Sequence, residues 1–172
     1  MLSKSTMMST KSTQTPHRVL AFDPGYERLG VAVVEREGSK ETLIHSDCVR
    51  TAASLSFEDR LLAVGEAAEK LIKEYSPAAV ALEDIYFQKN EKTATKIAEV
   101  RGLLTYIARK AGLSVYHFTP QEVKVAVTGY GKSDKAAVSM MVSKLVRLPN
   151  KKRLDDEMDA IAIGLTCLAT HR

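Results

Sequence analysis

The sequence predicts an α/β fold in which a mixed five-stranded sheet carries helices on both of its faces. Two observations predict it. First, three short apolar and β-branched runs follow one another in the N-terminal third, separated by turn residues, which indicates an antiparallel meander. Second, the rest of the chain alternates segments of helical periodicity with two further apolar runs. At 172 residues, the chain is long enough to form one domain with a substantial core.

The first three strands are bounded by turn residues. The run RVLAFD at 18–23 ends in an acid and precedes a Pro-Gly pair, so it is predicted to be a buried strand followed by a turn. The apolar run LGVAVVE at 29–35 is predicted to be the second strand. Turn residues at 37–39 separate it from a third strand at 42–49, which completes the meander.

Helices and strands then alternate along the chain. A helix is predicted to begin after Ser56, with Asp59 at the capping-box position, and to end near Tyr75. Strands at 78–84 and 113–118 flank a long helix at 90–110. The C-terminal third is predicted to form three helices: one capped by Thr119 and Pro120, one at 133–146 and one at 154–169.

Charge is unevenly distributed along the chain. The formal net charge is +4, but the stretch 84–153 holds fourteen Lys and Arg against five Asp and Glu. A basic stretch beside an acidic group predicts a polyanionic partner and a cation site. The sequence contains no apolar run of membrane-spanning length, so no membrane association is expected. The four His and two Cys are scattered, which argues against a zinc or redox motif.

The N-terminal residues 1–17 differ from the rest of the chain. They are rich in Ser, Thr, Met and Lys, and no acid occurs before Asp23. They lack the apolar stretch of a secretory signal, so we expect a disordered tail before a single domain at 18–172. An organelle transit peptide is the alternative. The expected location is the bacterial cytoplasm, with an organelle left open by the acid-poor tail.

The segment AVTGYGKSDK at 126–135 looks at first like a nucleotide-binding loop. Gly131, Lys132 and Ser133 match the end of the pattern G-x-x-x-x-G-K-[S/T], but Ala126 stands at the first glycine position. That loop also needs a preceding strand and a later acid at a strand end to hold Mg²⁺. The residues after Ser133 are instead predicted to form two helices, which argues against an NTPase.

Four acids are candidates for a metal site. Asp23 and Glu83 end predicted strands, and Asp156 and Asp159 share a face of the last helix. Asp155 also shares a face with Asp159, so spacing alone does not choose between Asp155 and Asp156. A buried acidic cluster needs cations, and Mg²⁺ or Mn²⁺ prefer oxygen ligands. Two such ions are one means of phosphodiester cleavage, in which one activates water and the other stabilises the leaving oxygen.

A structural interpretation of each acid is available. Asp23 before a Pro-Gly pair is also a common turn residue, and acids at 155–157 also favour the positive end of a helix dipole. What favours the metal site is the combination of the four acids with the basic stretch between them.

Four blocks of the sequence together resemble the RuvC family of bacterial Holliday junction resolvases. The resemblance runs from Arg18 to about Ala169. The pattern DPG-x-x-x-x-G alone occurs elsewhere in the same superfamily, but all four blocks in order are specific. They read FDPGYERLGVAVVE, ALEDIYFQKNEKTATKIAEVRG, FTPQEVKVAVTGYGKSDKAAVSMMV and DDEMDAIAIGL.

The resemblance implies an RNase H-like fold and a Mg²⁺-dependent endonuclease. It implies a symmetric homodimer that nicks two strands of a four-way DNA junction during recombination and repair, together with a branch-migration helicase complex. The family's acidic tetrad falls on Asp23, Glu83, Asp156 and Asp159, because the ending D-x-x-D-A selects Asp156 over Asp155. The resemblance thereby resolves the choice that spacing leaves open.

The resemblance also implies DNA contacts. The family's aromatic residue that opens bases at the crossover falls on Tyr86, where Phe is usual, and Phe87 is the adjacent alternative. The basic residues near the scissile phosphate fall on Lys124 and Lys135. The segment 126–135 is then a DNA-facing loop, in which Lys132 adds charge or is simply solvated. The helix at 90–110 is the candidate dimer interface.

Three other classes compete with this interpretation. A related RNase H-like nuclease for structured RNA shares the DPG start, but the block ALEDIYF and the basic block fit the junction enzyme better. A junction-binding scaffold without catalysis is disfavoured by the intact acids. An actin-like kinase would need two such domains, which this chain is too short to hold.

Overall fold

The computed structural model describes residues 18–84 and 91–171. Within them, five strands form one sheet in the order β3-β2-β1-β4-β5. β1, β2 and β3 pair antiparallel, whereas β1, β4 and β5 pair parallel. The predicted mixed α/β sheet is confirmed. The strands are β1 (Arg18–Asp23), β2 (Arg28–Glu37), β3 (Lys40–Arg50), β4 (Ala79–Glu83) and β5 (Ser114–Phe118).

The described residues also form five helices around the sheet: α1 (Phe57–Tyr75), α2 (Glu91–Lys110), α3 (Pro120–Thr128), α4 (Lys135–Leu145) and α5 (Asp155–Thr170). The predicted cap of α1 is present, because the Ser56 side chain accepts a hydrogen bond from the backbone N–H of Asp59. Thr119 forms a full capping box with Glu122 at the start of α3. α4 begins two residues later than the sequence predicts because Asp134 is its N-cap.

The two faces of the sheet bury different residues. Side chains alternate along a strand, so Val19 and Ala21 of β1 face α5, while Leu20 and Phe22 face α1 and α2. Small residues on the first face bring α5 close to the sheet, and a Cβ on Gly164 would lie 2.8 Å from a Val34 methyl carbon. α5 therefore packs closely against the sheet, and its position determines where its acids lie.

None of the helices in the described part of the chain is both long and apolar enough to span a membrane.

Candidate active site

The site lies where two parallel strands end. Phe22 of β1 pairs with Leu82 of β4, so the next residues, Asp23 and Glu83, leave the two strands side by side. Alternate residues of a strand point to the same face. Asp23 lies two residues after Ala21, and Glu83 lies two residues after Ala81, so both acids point to the face that α5 covers. The carboxyl edge of parallel strands is a common place for a site in α/β proteins.

Gly30 brings the start of α5 against this edge. Gly30 pairs with Asp23 in the ladder of β1 and β2. A Cβ atom on Gly30 would lie 2.0 Å from the backbone oxygen of Asp156 and 3.1 Å from the Cβ of Asp23. Only a residue without a side chain lets the first turn of α5 approach so closely. Asp156 is thereby held beside Asp23.

The structure separates Asp155 from Asp156. The side chain of Asp155 is 82% exposed, whereas that of Asp156 is 20% exposed. The third member of the helical acid group, Asp159, is intermediate in burial and faces Lys135. The helix rotation therefore directs Asp156 and Asp159 inward and leaves Asp155 on the outside.

Two lysines line the same pocket as two of the acids. Lys135, the first residue of α4, places its Nζ 2.9 Å from Asp159 Oδ2 and 3.6 Å from Asp155 Oδ2. Lys124 of α3 lies with Glu83, Lys135 and Asp159 around a cavity of about 220 Å³. The cavity thus joins acidic and basic groups, the arrangement that a phosphate and its counter-cations require.

The acids are held in an environment that disfavours their charge. Burial, followed by the charges of Glu83 and Asp159, raises the pKa of Asp23 to about 7. Burial and the charge of Asp159 raise the pKa of Glu83 to about 7, against the opposing effect of Lys135 and Lys124. Burial also raises the pKa of Asp159, although its hydrogen bond from Lys135 opposes this. The lysines therefore compensate only part of the negative charge.

The free oxygen of Asp156 tests whether these residues suit a metal ion. Asp156 Oδ2 is buried and accepts no hydrogen bond. Arg28 Nε lies 3.4 Å away, close enough for an ion pair but without hydrogen-bond geometry. Such an orphaned oxygen, beside two carboxyls of raised pKa, fits a hard divalent cation, which takes carboxylate oxygens as ligands. Asp23, Glu83, Asp156 and Asp159 are the side chains that could hold it.

The arrangement is not a closed cage. Across residues 18–84 and 91–171, no group of three His, Cys, Asp or Glu is already placed to hold a metal ion. Lys135 accounts for part of this, because its ammonium already satisfies Asp159. The free oxygen of Asp156 and the raised pKa values of Asp23 and Glu83 nevertheless indicate negative charge that the described side chains do not fully compensate.

The loop before α4 differs from a nucleotide-binding loop. A helix, α3, precedes it where that loop has a strand. The carboxylate of Asp134 accepts a hydrogen bond from the Ala137 N–H, so an acid occupies the N-terminus of α4, where a bound phosphate would lie. The Ser133 and Thr128 hydroxyls bond to each other at 2.7 Å. Lys132 is exposed, and the predicted aromatic residues Tyr86 and Phe87 lie outside the described residues.

Sequence reasoning missed three residues of this region. Gly30 is the last glycine of DPG-x-x-x-x-G, so its motif could have marked it. Arg28 and Glu157 carried no signal in the sequence, because nothing local shows that Arg28 faces Asp156 or that Glu157 is buried.

Comparison with known proteins agrees with the fold. The family model for crossover junction endodeoxyribonuclease RuvC matches residues 19–167. The RuvC of Ruminiclostridium cellulolyticum is 37% identical over 90% of this chain and 93% of that protein. The RuvC of Thermosipho melanesiensis is 41% identical over 90% of this chain and 98% of that protein.

Solved structures show the same relationship. Thermus thermophilus RuvC in complex with a Holliday junction substrate superposes with a TM-score of 0.82, at 31% identity over 87% of this chain and 92% of that chain. The yeast mitochondrial Holliday junction resolvase has a TM-score of 0.66 at 12% identity over 88% of this chain and 78% of that chain, which shows a shared fold. The resemblance inferred from the sequence motifs is confirmed: this chain belongs to the RuvC family of crossover junction endodeoxyribonucleases.

Proposed function

We propose that this protein is a structure-selective endonuclease that resolves four-way DNA junctions by paired symmetric nicks, in homologous recombination and DNA repair. The observation that carries the proposal is the placing of Asp23, Glu83, Asp156 and Asp159 at one edge of the sheet, beside Lys124 and Lys135. Relatives that share this fold carry the name crossover junction endodeoxyribonuclease, and one was solved with a Holliday junction substrate.

The four acids would hold Mg²⁺, with Mn²⁺ as a substitute and two ions per site. A hard divalent cation, when bound, supplies Lewis acidity that polarises the phosphate and lowers the pKa of an attacking water. Cation binding is coupled to the release of protons from the carboxyl groups of the site. Burial raises the pKa values of Asp23 and Glu83 to about 7, so each carboxyl is partly protonated near neutral pH and any proton it carries must leave before a cation binds.

Lys135 supplies a fixed positive charge next to the acids. Burial works to lower the pKa of Lys135, but its hydrogen bond to Asp159 and the charges of Asp159, Asp155 and Asp23 raise it above the usual value. The ammonium therefore stays protonated at physiological pH. In that form it can donate to a phosphate oxygen as negative charge develops there, which stabilises the transition state.

The surface around the site supports DNA binding. Lys124 lines the cavity, and Lys132 is exposed on the loop before α4. We include Tyr86 in the proposal as the residue that stacks at the crossover, on the strength of its motif alone. Two opposed strands require two sites, hence a two-fold homodimer. We assign the interface to α2 on the strength of the resemblance alone.

The proposal also includes a branch-migration helicase complex as partner and the bacterial cytoplasm as location. Both follow from the family.

Cleavage of a mobile four-way DNA junction in Mg²⁺ tests the function. Linear duplex, RNA–DNA hybrid and structured RNA serve as parallel substrates. We expect paired symmetric nicks on the junction alone, leaving a 5′-phosphate and a 3′-hydroxyl. Binding without cleavage, in Mn²⁺ as well, would indicate a scaffold, and cleavage of RNA or hybrid alone would replace the substrate while keeping the acidic site.

Glu83→Gln tests the acids directly. The amide keeps the shape of the side chain but removes its charge, so we expect junction binding to persist and cleavage to be lost. Cleavage by this variant at the wild-type rate would remove Glu83 from the mechanism.

A further inference from the structure

Glu157 lies between two acids of the site but points elsewhere. It is 4% exposed, whereas Asp156 and Asp159 on either side of it lie near Asp23, whose pKa their charges raise. Its carboxylate instead faces β3, on the far side of β2 from the strand that ends in Asp23. A buried charge of this kind is costly unless its partners are close.

The partners of Glu157 come from two other segments of the chain. The Ser46 hydroxyl on β3 donates to Glu157 Oε1 at 2.6 Å. Lys151 Nζ lies 2.8 Å and Arg153 Nε 3.3 Å from the same oxygen. Lys151 also donates to the Ser46 backbone oxygen at 2.8 Å. One carboxylate therefore joins β3, the segment before α5 and the first turn of α5.

Apart from those of Glu157, the ion pairs at the start of α5 end on the neighbouring acids: Arg28 faces Asp156, and Lys135 faces Asp155 and Asp159. The N-cap residue of α5, Leu154, makes no side-chain capping hydrogen bond. Further along, α5 is held by apolar contacts on the sheet, and the hydrophobic effect behind them is non-directional. Directional bonds from Glu157 to Ser46 restrict the movements that apolar packing leaves open.

We propose that Glu157 is a positioning residue: by tying the first turn of α5 to Ser46 of β3, it sets where Asp156 and Asp159 stand relative to Asp23 and Glu83. The site's affinity for a divalent cation depends on that placement. The inference rests on the proposed function only in taking these four acids as the cation site, and it does not depend on which nucleic acid is cut.

Two variants separate positioning from charge. Ser46→Ala removes the tie but changes no charge, and Glu157→Gln removes the ion pairs while keeping the side-chain shape. Thr166→Val is the matched control, because Thr166 is fully buried on the same helix and its hydroxyl bonds to the Ala162 oxygen of α5 itself. It disturbs the helix without cutting a tie to the sheet.

The measurement is Mn²⁺ binding by calorimetry without DNA, together with thermal unfolding and the Mg²⁺ dependence of junction cleavage. We expect Glu157→Gln to weaken Mn²⁺ binding on the order of 10-fold, as changes behind metal ligands commonly do. Ser46→Ala should weaken it about 5-fold, less than Glu157→Gln, because one hydrogen bond to the carboxylate is lost while Lys151 and Arg153 still pair with it. Cleavage should shift to higher Mg²⁺ and recover at saturation, while Thr166→Val keeps wild-type affinity despite a lower melting temperature.

A double variant shows whether both residues act through one tie. Ser46→Ala should add little to the loss of affinity in a Glu157→Ala background, because no oxygen is left there to accept the Ser46 hydrogen bond. Three results would each overturn the positioning role: wild-type affinity in both single variants, additive losses in the double variant, or an equal loss of affinity in Thr166→Val. Wild-type protein that binds Mn²⁺ normally but leaves junctions uncut would overturn the proposed function while the affinity series still decides this inference. No Mn²⁺ binding by the wild type would overturn both.

Discussion

Gly30→Ala is the smallest change that separates two of the acids. The added Cβ would stand 2.0 Å from the backbone oxygen of Asp156, and contacts below 3.0 Å are essentially never tolerated. The opposing atom is backbone, so no rotamer change relieves the clash. The start of α5 and β2 must therefore move apart by about 1 Å, the difference between these two distances.

The expected cost follows from that displacement. A misplacement of about 1 Å in a catalytic group commonly lowers a rate on the order of 100-fold. The overpacking itself should destabilise the fold by about 1–3 kcal/mol. We therefore expect Gly30→Ala to be folded, to bind a four-way junction, and to cleave it about two orders of magnitude more slowly than the wild type.

The assay is single-turnover cleavage of a four-way junction at saturating protein and Mg²⁺, run well below the melting temperature of each variant. Junction affinity is measured separately in Ca²⁺. Gly164→Ala is the matched control on the same helix: its Cβ would lie 2.8 Å from a buried Val34 methyl, a milder clash than that at Gly30 and one with a side chain away from Asp156. We expect it to lower the melting temperature with little change in rate.

Two outcomes would refute this reasoning. A cleavage rate for Gly30→Ala within a few-fold of the wild type would mean that the close contact between the Asp156 backbone and β2 does not matter for cleavage. An equal loss of rate in Gly164→Ala would mean that any disturbance of α5 has the same effect, so that Gly30 has no special position.

Three further predictions concern protons, charge and capping. The raised folded-state pKa values of Asp23 and Glu83 mean that their contribution to stability without metal is present at low pH and lost as pH rises through about 7. When the pH falls from 8 to 6, Mn²⁺ affinity should fall by about 10-fold for each of the two carboxyls. Calorimetry in buffers of different ionisation enthalpy measures the proton release. Equal affinity at both pH values would contradict these pKa values. Lys135→Met removes the ammonium 2.9 Å from Asp159 and should slow single-turnover cleavage on the order of 100-fold with junction affinity nearly unchanged, whereas a parallel loss of affinity would make Lys135 a binding residue only. Thr119→Ala removes the capping box of α3 and should cost about 1 kcal/mol in denaturant unfolding without changing the cleavage rate, and an unchanged midpoint would show that α3 does not need its cap.

Local features of the fold were predictable because they depend on neighbouring residues. The cap at Ser56 and the capping box at Thr119 are short-range hydrogen bonds, so their sequence patterns located the starts of α1 and α3. The start of α4 was placed two residues too early, since both Ser133 and Asp134 are good capping residues and only the fold shows that Asp134 accepts the bond.

The sequence by itself determined the kinds of element, their order and the four candidate acids, because strand alternation, helical periodicity and the DPG and D-x-x-D-A motifs are written in adjacent residues. Helical spacing alone did not choose between Asp155 and Asp156, since each shares a helix face with Asp159, and the resemblance selected Asp156. Only the tertiary structure shows why Asp156 faces inward, because the first turn of α5 packs closely against Gly30. It alone also buried Glu157 against Ser46, two residues more than a hundred positions apart in the chain.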